Sequence, residues 1–465
     1  MHINALSNVH SSTIIKGKKV LMKRDIELDL LRWKDLNGRL PLLLRGARQV
    51  GKSYIVEKFG KEHFDNYVVI NFEQYPEYTK CFSSLDPVKI VNSIELLSGI
   101  TIQPEKTLLF IDEIQECPQA ILALRYFKEQ MPKLHVIGAG SLLEFTLNDP
   151  KFRMPVGRVQ FLHMRPMSFA EYLDASNNEK LRKYLSTIHV KDEVEEAIHN
   201  RLLALVREYI ALGGMPAVIS AYLTNKSLLQ CQEIQTAILS TFRNDFGKYA
   251  TLTQHDHLKT IFTKAPGLIA QWFKYSKLEA DTPARTLKNA LYKLRDAGLI
   301  ILVYAASAAG LPFATHMNEK KFKLLFLDIG LVKRACNLDL DLLFKQDLLL
   351  INEGALAEQF VGQELLAYTG KNDMNNLFFW TREKKSSSAE VDYLIAIDSN
   401  ILAIEVKAGA IGSLRSLKQL IEERKMPFGV RISENPLSFT HPVLSIPFYL
   451  IEQLPRLTKE LYKIL

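Results

Sequence analysis

Gly46, Gly51, Lys52 and Ser53 fall in the order G-x-x-x-x-G-K-S within LPLLLRGARQVGKSYIVEKFG, residues 40–60. An apolar strand leads into the pattern and a helix start follows it, and that order gives the spacing a chemical meaning. Glycines allow a tight turn, so backbone N–H groups along Gly46, Ala47, Arg48, Gln49, Val50 and Gly51 can face phosphates at a helix N-terminus. Lys52 would reach the β- and γ-phosphates, and the Ser53 hydroxyl would ligate Mg²⁺. The competing reading is a glycine-rich strand–helix turn with a chance Lys-Ser.

Two carboxylates end the apolar strand in KTLLFIDEIQEC, residues 106–117. Asp112 is placed to hold Mg²⁺ through water, and Glu113 is the candidate base that polarises an attacking water, the step that separates a hydrolase from a nucleotide binder. Ser141, at the end of the next apolar strand, reads either as a γ-phosphate sensor or as an ordinary helix N-cap. Arg158 reads as a phosphate contact in the same or a neighbouring subunit, or as a surface arginine at a strand start.

A second set of ionisable groups lies late in the chain, in AEVDYLIAIDSNILAIEVKAG, residues 389–409. A two-residue turn at Asp398–Ser399 pairs Ile397 with Asn400, and counting outward pairs Asp392 with Glu405. Opposed residues share a face, so the two carboxylates project side by side, with Lys407 on the same face. Both faces of this hairpin are otherwise apolar, which predicts a central, buried position where paired carboxylates repel. A proton, Lys407 or a divalent cation can resolve the repulsion. A Mg²⁺ or Mn²⁺ there would give Lys407 a role beside a water attacking a phosphodiester; the alternative is an ion-pair cluster at a sheet end. Glu358 and Glu364, in NEGALAEQFVGQELLAY, are six residues apart on different helix faces, so one of them can point at the hairpin.

The elements that must position these groups follow from periodicity. YVVINFEQ, LHVIGAGS and RVQFLHMRP join the two strands above to give about five strands of a parallel, doubly wound sheet. Helical spacing dominates from Glu171 to Thr251, with Gly213–Gly214 ending one helix and Pro216 opening the next. There, Asp245 and Lys248 in NDFGKYA read as capping or ion-pair residues. TPARTLKNALYKLRDAGLIILVYAA, residues 282–306, reads as the last helix and wing of a winged helix, with Arg285, Lys288, Lys293 and Arg295 available to DNA. The polar stretch TREKKSSSA, residues 381–389, suits a strand-contacting loop or a linker.

The 465-residue length calls for several modules, and 47% hydrophobic against 24% charged residues is the balance of an ordinary globular protein. A net charge of +8 permits an anionic partner without requiring one. The four cysteines form no C-x-x-C pair, and no apolar run reaches the roughly 20 residues of a membrane span. A reduced, cytoplasmic protein with no membrane partner is expected.

Together, LLLRGARQVGKS, LLFIDEIQE, GAGSLLEF, RPMSFAEYL, GGMPAVI, NDFGKYA, KLLFLDIGL, GALAEQFVGQEL and the late hairpin resemble a family of bacterial and archaeal AAA-type ATPases. Members join a P-loop domain and a winged helix to a tail similar to restriction enzymes and archaeal Holliday-junction resolvases. The resemblance implies an α/β fold in five parts: a basic N-terminal arm (1–25), a parallel-sheet P-loop ATPase core (26–170), a helical lid (171–251), a winged helix (252–320) and a C-terminal restriction-endonuclease-like domain (321–465). It implies ATP with Mg²⁺, DNA as a partner, and a homo-oligomer. Asp392, Glu405 and Lys407 match the tail family's acid and acid-x-Lys, and Glu358 after Gly354 matches its helix glutamate better than Glu364 does. It implies DNA-related work without requiring cleavage, and leaves open a regulatory ATPase whose inactive tail binds DNA or protein.

Overall fold

The computed structural model describes residues 22–148, 152, 157–248, 252–279, 282–338, 354–369, 377–382, 389–409 and 412–465. Most of the basic arm and of the polar stretch before the hairpin lies outside them.

Five short apolar strands make the first sheet: β1 (Leu42–Arg45), β2 (Asn66–Asn71), β3 (Thr107–Asp112), β4 (His135–Ala139) and β5 (Gln160–His163). They are all parallel, in the order β2-β3-β4-β1-β5. Parallel strands connected by helices bury both faces, which is why these segments are nearly continuous apolar runs. One face (Leu43, Leu109, Ile111, Val136) packs on the helices Pro87–Ser98 and Pro118–Gln130. The other (Leu42, Leu44, Leu108, Phe110) packs on Ile55, Val56 and Phe59 of the helix Lys52–His63.

That second core does not stop at the sheet. It runs without a break through the helices Glu196–Leu212 and Leu228–Asp245 into the C-terminal half. The helix Glu196–Leu212 is capped by Gly213, and Pro216 opens the next, so the Gly-Gly and Pro signals mark the break as expected. Among the described residues no single helix is long and apolar enough to cross a membrane.

The remaining strands are β6 (Ile300–Ala306), β7 (Met317–Phe326), β8 (Phe378–Thr381), β9 (Glu390–Ile397), β10 (Asn400–Val406), β11 (Gly429–Ser433), β12 (Ser438–Thr440) and β13 (Val443–Pro447). They form one eight-stranded sheet, ordered β12-β13-β11-β10-β9-β8-β6-β7. The helices Leu252–Lys264 and Ala284–Asp296 followed by the β6–β7 hairpin give the order of a winged helix. The hairpin is not a free wing, however, because β6 also pairs with β8. A domain boundary at residue 320 therefore falls inside β7, and the two C-terminal modules expected from the sequence share a single sheet.

The helix Ala355–Thr369 joins the halves. Gln359 pairs with both the N–H and the carbonyl of Phe326, and Gln363 accepts from the Ile329 N–H, so the helix is registered along β7. Further along it, Glu364 accepts from the Phe169 N–H at 3.0 and 3.1 Å and from the Tyr368 hydroxyl at 2.6 Å. Glu364 thus caps the helix Phe169–Ala175 next to the first sheet and points away from the hairpin.

Burial pushes the Glu364 carboxyl up to about 8, against 4.5 in an unfolded chain. The folded state keeps a proton there that the unfolded state has released, so this contribution is complete below pH 4.5 and is lost as pH rises toward 8. Between those limits wild-type stability should fall more steeply than that of Glu364→Gln, by at most about 1.4 kcal/mol per pH unit, in urea unfolding followed across pH.

Candidate functional site: a phosphate loop and a carboxylate cluster

The loop after β1 has the geometry that a phosphate cradle needs. Gly46 (φ +141°) and Gly51 (φ +99°) hold backbone conformations that side chains disfavour, and a Cβ on Gly46 would lie 2.1 Å from the Met164 carbonyl oxygen. Arg24 braces the loop from outside: its Nη1 donates to the Val50 carbonyl at 2.9 Å, and its Nε pairs with Glu171 at 3.0 Å. Lys52 opens the following helix and folds back over the loop, donating to the Gly46 and Ala47 carbonyls, each at 2.9 Å. Burial pulls its ammonium down to about 8, against the opposing attraction of Glu113 and Asp112.

Asp112 ends β3 beside this loop. The Ser53 hydroxyl donates to its Oδ2 at 2.8 Å, and Asn71, at the end of β2, donates to the same oxygen at 3.1 Å. Burial pushes the Asp112 carboxyl up, partly offset by the Ser53 hydroxyl. The next residue, Glu113, takes a left-handed backbone conformation (φ +48°), rare for a side chain of this size. Its Oε2 accepts from Gln115 Nε2 at 2.7 Å and from the Ser141 hydroxyl at 3.4 Å. Ser141 therefore touches Glu113, and Leu142 occupies the N-cap position of the following helix.

Arg158 is elsewhere. It precedes β5, which runs parallel to β1 with Gln160 opposite Leu42, whereas the phosphate loop leaves β1 at Arg45. About 10 Å of strand separates the two ends. Arg158 is 49% exposed and pairs with Glu129 at 3.2 Å. This topology excludes the expected phosphate contact within its own chain, and Arg158 has the surface position at a strand start.

The late hairpin forms in the register read from its sequence, with Ile397 opposite Asn400 and Leu394 opposite Ala403. β9 and β10 lie in the middle of the sheet, with a bulge in β9 against β8 around Asp392. Asp392 Oδ2 accepts from the Val406 N–H at 2.8 Å. Lys407 Nζ pairs with Glu405 Oε1 at 2.7 Å, while Glu405 Oε2 is buried without a hydrogen bond.

The cation between the carboxylates belongs to the protein. Lys323 on β7, whose side chain is 2% exposed, sets its ammonium 2.8 Å from Glu358, 2.5 Å from Glu390 and 3.5 Å from Asp392. Burial opposes the charge, yet Glu358, Asp392 and Glu390 hold Lys323 protonated, above the usual lysine range. Burial and then Asp392 push the Glu405 carboxyl up, with Lys407 opposing. Two ammonium groups, those of Lys323 and Lys407, thus answer the repulsion.

The side chains as placed do not support the expected metal site. Glu358 is committed to Lys323, Asp392 is shared between Lys323 and a backbone N–H, and Glu405 is held by Lys407. The orphaned Glu405 Oε2 is the one atom that would suit a cation, and a proton also suits it. Among the described residues no group of three or more His, Cys, Asp or Glu side chains is arranged to hold a metal ion. An ammonium 3.5 Å or less from three of the carboxylates would also repel a divalent ion.

Residues 38–173 match the family model described as an AAA domain. Residues 203–342 and 353–449 match two models described as domains of unknown function, DUF8612 and DUF4143. No curated protein matches the chain. Among solved structures it is similar to the Thermotoga maritima RuvB Holliday junction branch migration motor, at 16% identity over 59% of this chain and 84% of that one, with a TM-score of 0.27. It is also similar to C. elegans PCH-2 (15% identity, 46% and 67% covered, TM-score 0.26). A third is Cdc6p from Pyrobaculum aerophilum (12% identity, 69% and 93% covered, TM-score 0.22). Likeness at this level carries no further argument.

Removing Lys323 leaves three carboxylates facing one another in a dry site. Lys323→Ala should lower the unfolding free energy by about 3–5 kcal/mol. In thermal unfolding, Mn²⁺ should restore part of the loss in the variant and leave the wild type unchanged.

Proposed function

We propose that the chain binds and hydrolyses ATP at the loop 46–53 and that its nucleotide state acts on the C-terminal sheet. The observation that carries this reading is the convergence of Lys52, Ser53, Asp112 and Glu113 at the C-terminal ends of β1 and β3, on a segment matching an AAA domain. Ser53 and Asp112 bring hard oxygen donors within 2.8 Å of each other, a set that fits Mg²⁺. Ser53 and Asp112 would hold Mg²⁺, which when bound would offset the charge that develops during phosphoryl transfer. To bind a triphosphate, Lys52 must exchange the Gly46 and Ala47 carbonyls for phosphate oxygens. Glu113, with Gln115 and Ser141 on one oxygen, keeps the other for the proton of an attacking water.

For the tail, the Lys323 cluster favours a module that binds without cutting. The helix Ala355–Thr369, then β8, β9, β10, the helix Arg415–Arg424 and β11 give the order αβββαβ, with β10 and β11 parallel, and this supports the restriction-endonuclease-like reading as a scaffold. Its acids are occupied by lysines. We assign the binding to DNA, met by the exposed Arg285 and Lys288 at the start of the helix Ala284–Asp296. Lys293 and Arg295 on the same helix are engaged with Gln254 and Asp296.

In a phosphate-release assay, Glu113→Gln should bind ATP and lose about 10²–10⁴-fold in turnover, while Lys52→Ala should lose binding. Unchanged turnover in both would refute the assignment. Branched or linear DNA should be bound with an affinity that falls steeply with added salt, and Mn²⁺ should induce no nicking that Asp392→Ala abolishes. Nicking lost in that variant would restore the nuclease reading.

A further inference from the structure

One residue of the phosphate loop reaches beyond the AAA-type segment. Arg48 Nη1 lies 3.0 and 3.1 Å from the two carboxylate oxygens of Asp245, the last residue of the helix Leu228–Asp245. Its Nη2 lies 3.4 Å from Glu73, which Lys248 holds in turn at 2.7 Å. Asp245, Arg48, Glu73 and Lys248 form a chain of alternating charge that sums to zero. Arg48 and Glu73 lie on loops after β1 and β2, and Asp245 and Lys248 come from the segment 203–342.

Arg48 is also within electrostatic reach of the two groups that would flank a γ-phosphate. It weakens the Lys52 ammonium, and Glu113 favours its charge. A terminal phosphate entering between Lys52 and Glu113 brings a charge that competes with Asp245 for the same guanidinium, and a planar fork of donors suits either anion. ADP, lacking that group, offers no such competitor.

Building on the ATP-site reading, we propose that the Arg48 side chain reads the γ-phosphate and that Asp245 is its positioning partner, so that ATP, unlike ADP, releases the end of the helix Leu228–Asp245. The far side of that helix is tied to the C-terminal half. Arg334 donates to the Thr236 hydroxyl at 2.7 Å. Arg334 lies in the helix Ile329–Ala335, whose cap Asp328 accepts from the Gly214 N–H. The link thus runs from the phosphate loop to the segment that follows β7.

Equilibrium binding of fluorescent ATP and ADP analogues to the full chain tests this. Arg48→Ala should weaken ATP roughly tenfold and change ADP by less than about twofold. Asp245→Asn should tighten ATP roughly threefold, leave ADP unchanged, and lose that gain in the double variant. Arg48→Lys, which keeps the charge, should retain part of the ATP–ADP discrimination. Equal loss of ATP and ADP in Arg48→Ala, or a gain from Asp245→Asn that persists without Arg48, would overturn the proposal while leaving the ATP site intact. Wild-type protein that binds neither nucleotide, or Lys52→Ala that binds like wild type, would overturn the ATP-site reading and this inference with it.

Discussion

A charge taken out of water must find its counter-charge inside the fold, and in this protein that requirement shapes the C-terminal sheet. Lys323 lies on β7, the end strand of the sheet, yet its side chain is buried, because Glu358 arrives from one helix and Glu390 and Asp392 from β9. None of the four would be tolerable there alone. Their convergence fixes the helix Ala355–Thr369 against the sheet, with the Tyr393 hydroxyl donating to the Glu358 carbonyl at 2.7 Å as a second tie.

The same rule recurs wherever modules meet. Asp328 is fully buried and accepts from the Gly214 and Leu331 N–H groups, and Lys333 nearby donates to the Ala211 carbonyl at 2.8 Å. Arg182 gathers Asp25, Asp174 and Glu452, at 2.6, 2.5 and 2.5 Å, from the start of the described chain, the helical region and the end of the C-terminal half. Such contacts are expensive to break singly, so the parts expected as separate beads from the sequence are interlocked through charge as well as through a continuous apolar core. A change at the phosphate loop can reach the second sheet through this network, because Asp245, Thr236 and Asp328 each sit on one side of a junction.

Local signals were legible in the sequence. The loop 46–53 with its strand and helix, the five parallel strands, the Gly-Gly and Pro216 punctuation and the β9–β10 register all follow from spacing over a few residues. Long-range partners were not. Lys323 is 35 residues from Glu358 and 69 from Asp392, and within EKKFKLLF it looks like one more lysine on a solvated strand. Glu390 sits at a strand start and Asn71 is an amide at a strand end, positions with many uses, so residue type and spacing mark neither. Arg158 is hidden in the opposite way: its residue type fits a phosphate contact, but only strand direction shows that it lies at the far end of its own chain's sheet. The shared eight-stranded sheet was equally hidden, because β6 meets β8 across more than seventy residues.

Two cation sites were conceivable from the sequence, and the account keeps one. Crystals of the full chain soaked with a non-hydrolysable ATP analogue and Mn²⁺, measured for anomalous scattering, would read both at once. The account predicts a peak between Ser53, Asp112 and the phosphates, and none among Glu358, Asp392 and Glu405, where Lys323 remains in contact with its carboxylates. A strong peak at those acids with Lys323 displaced would contradict it.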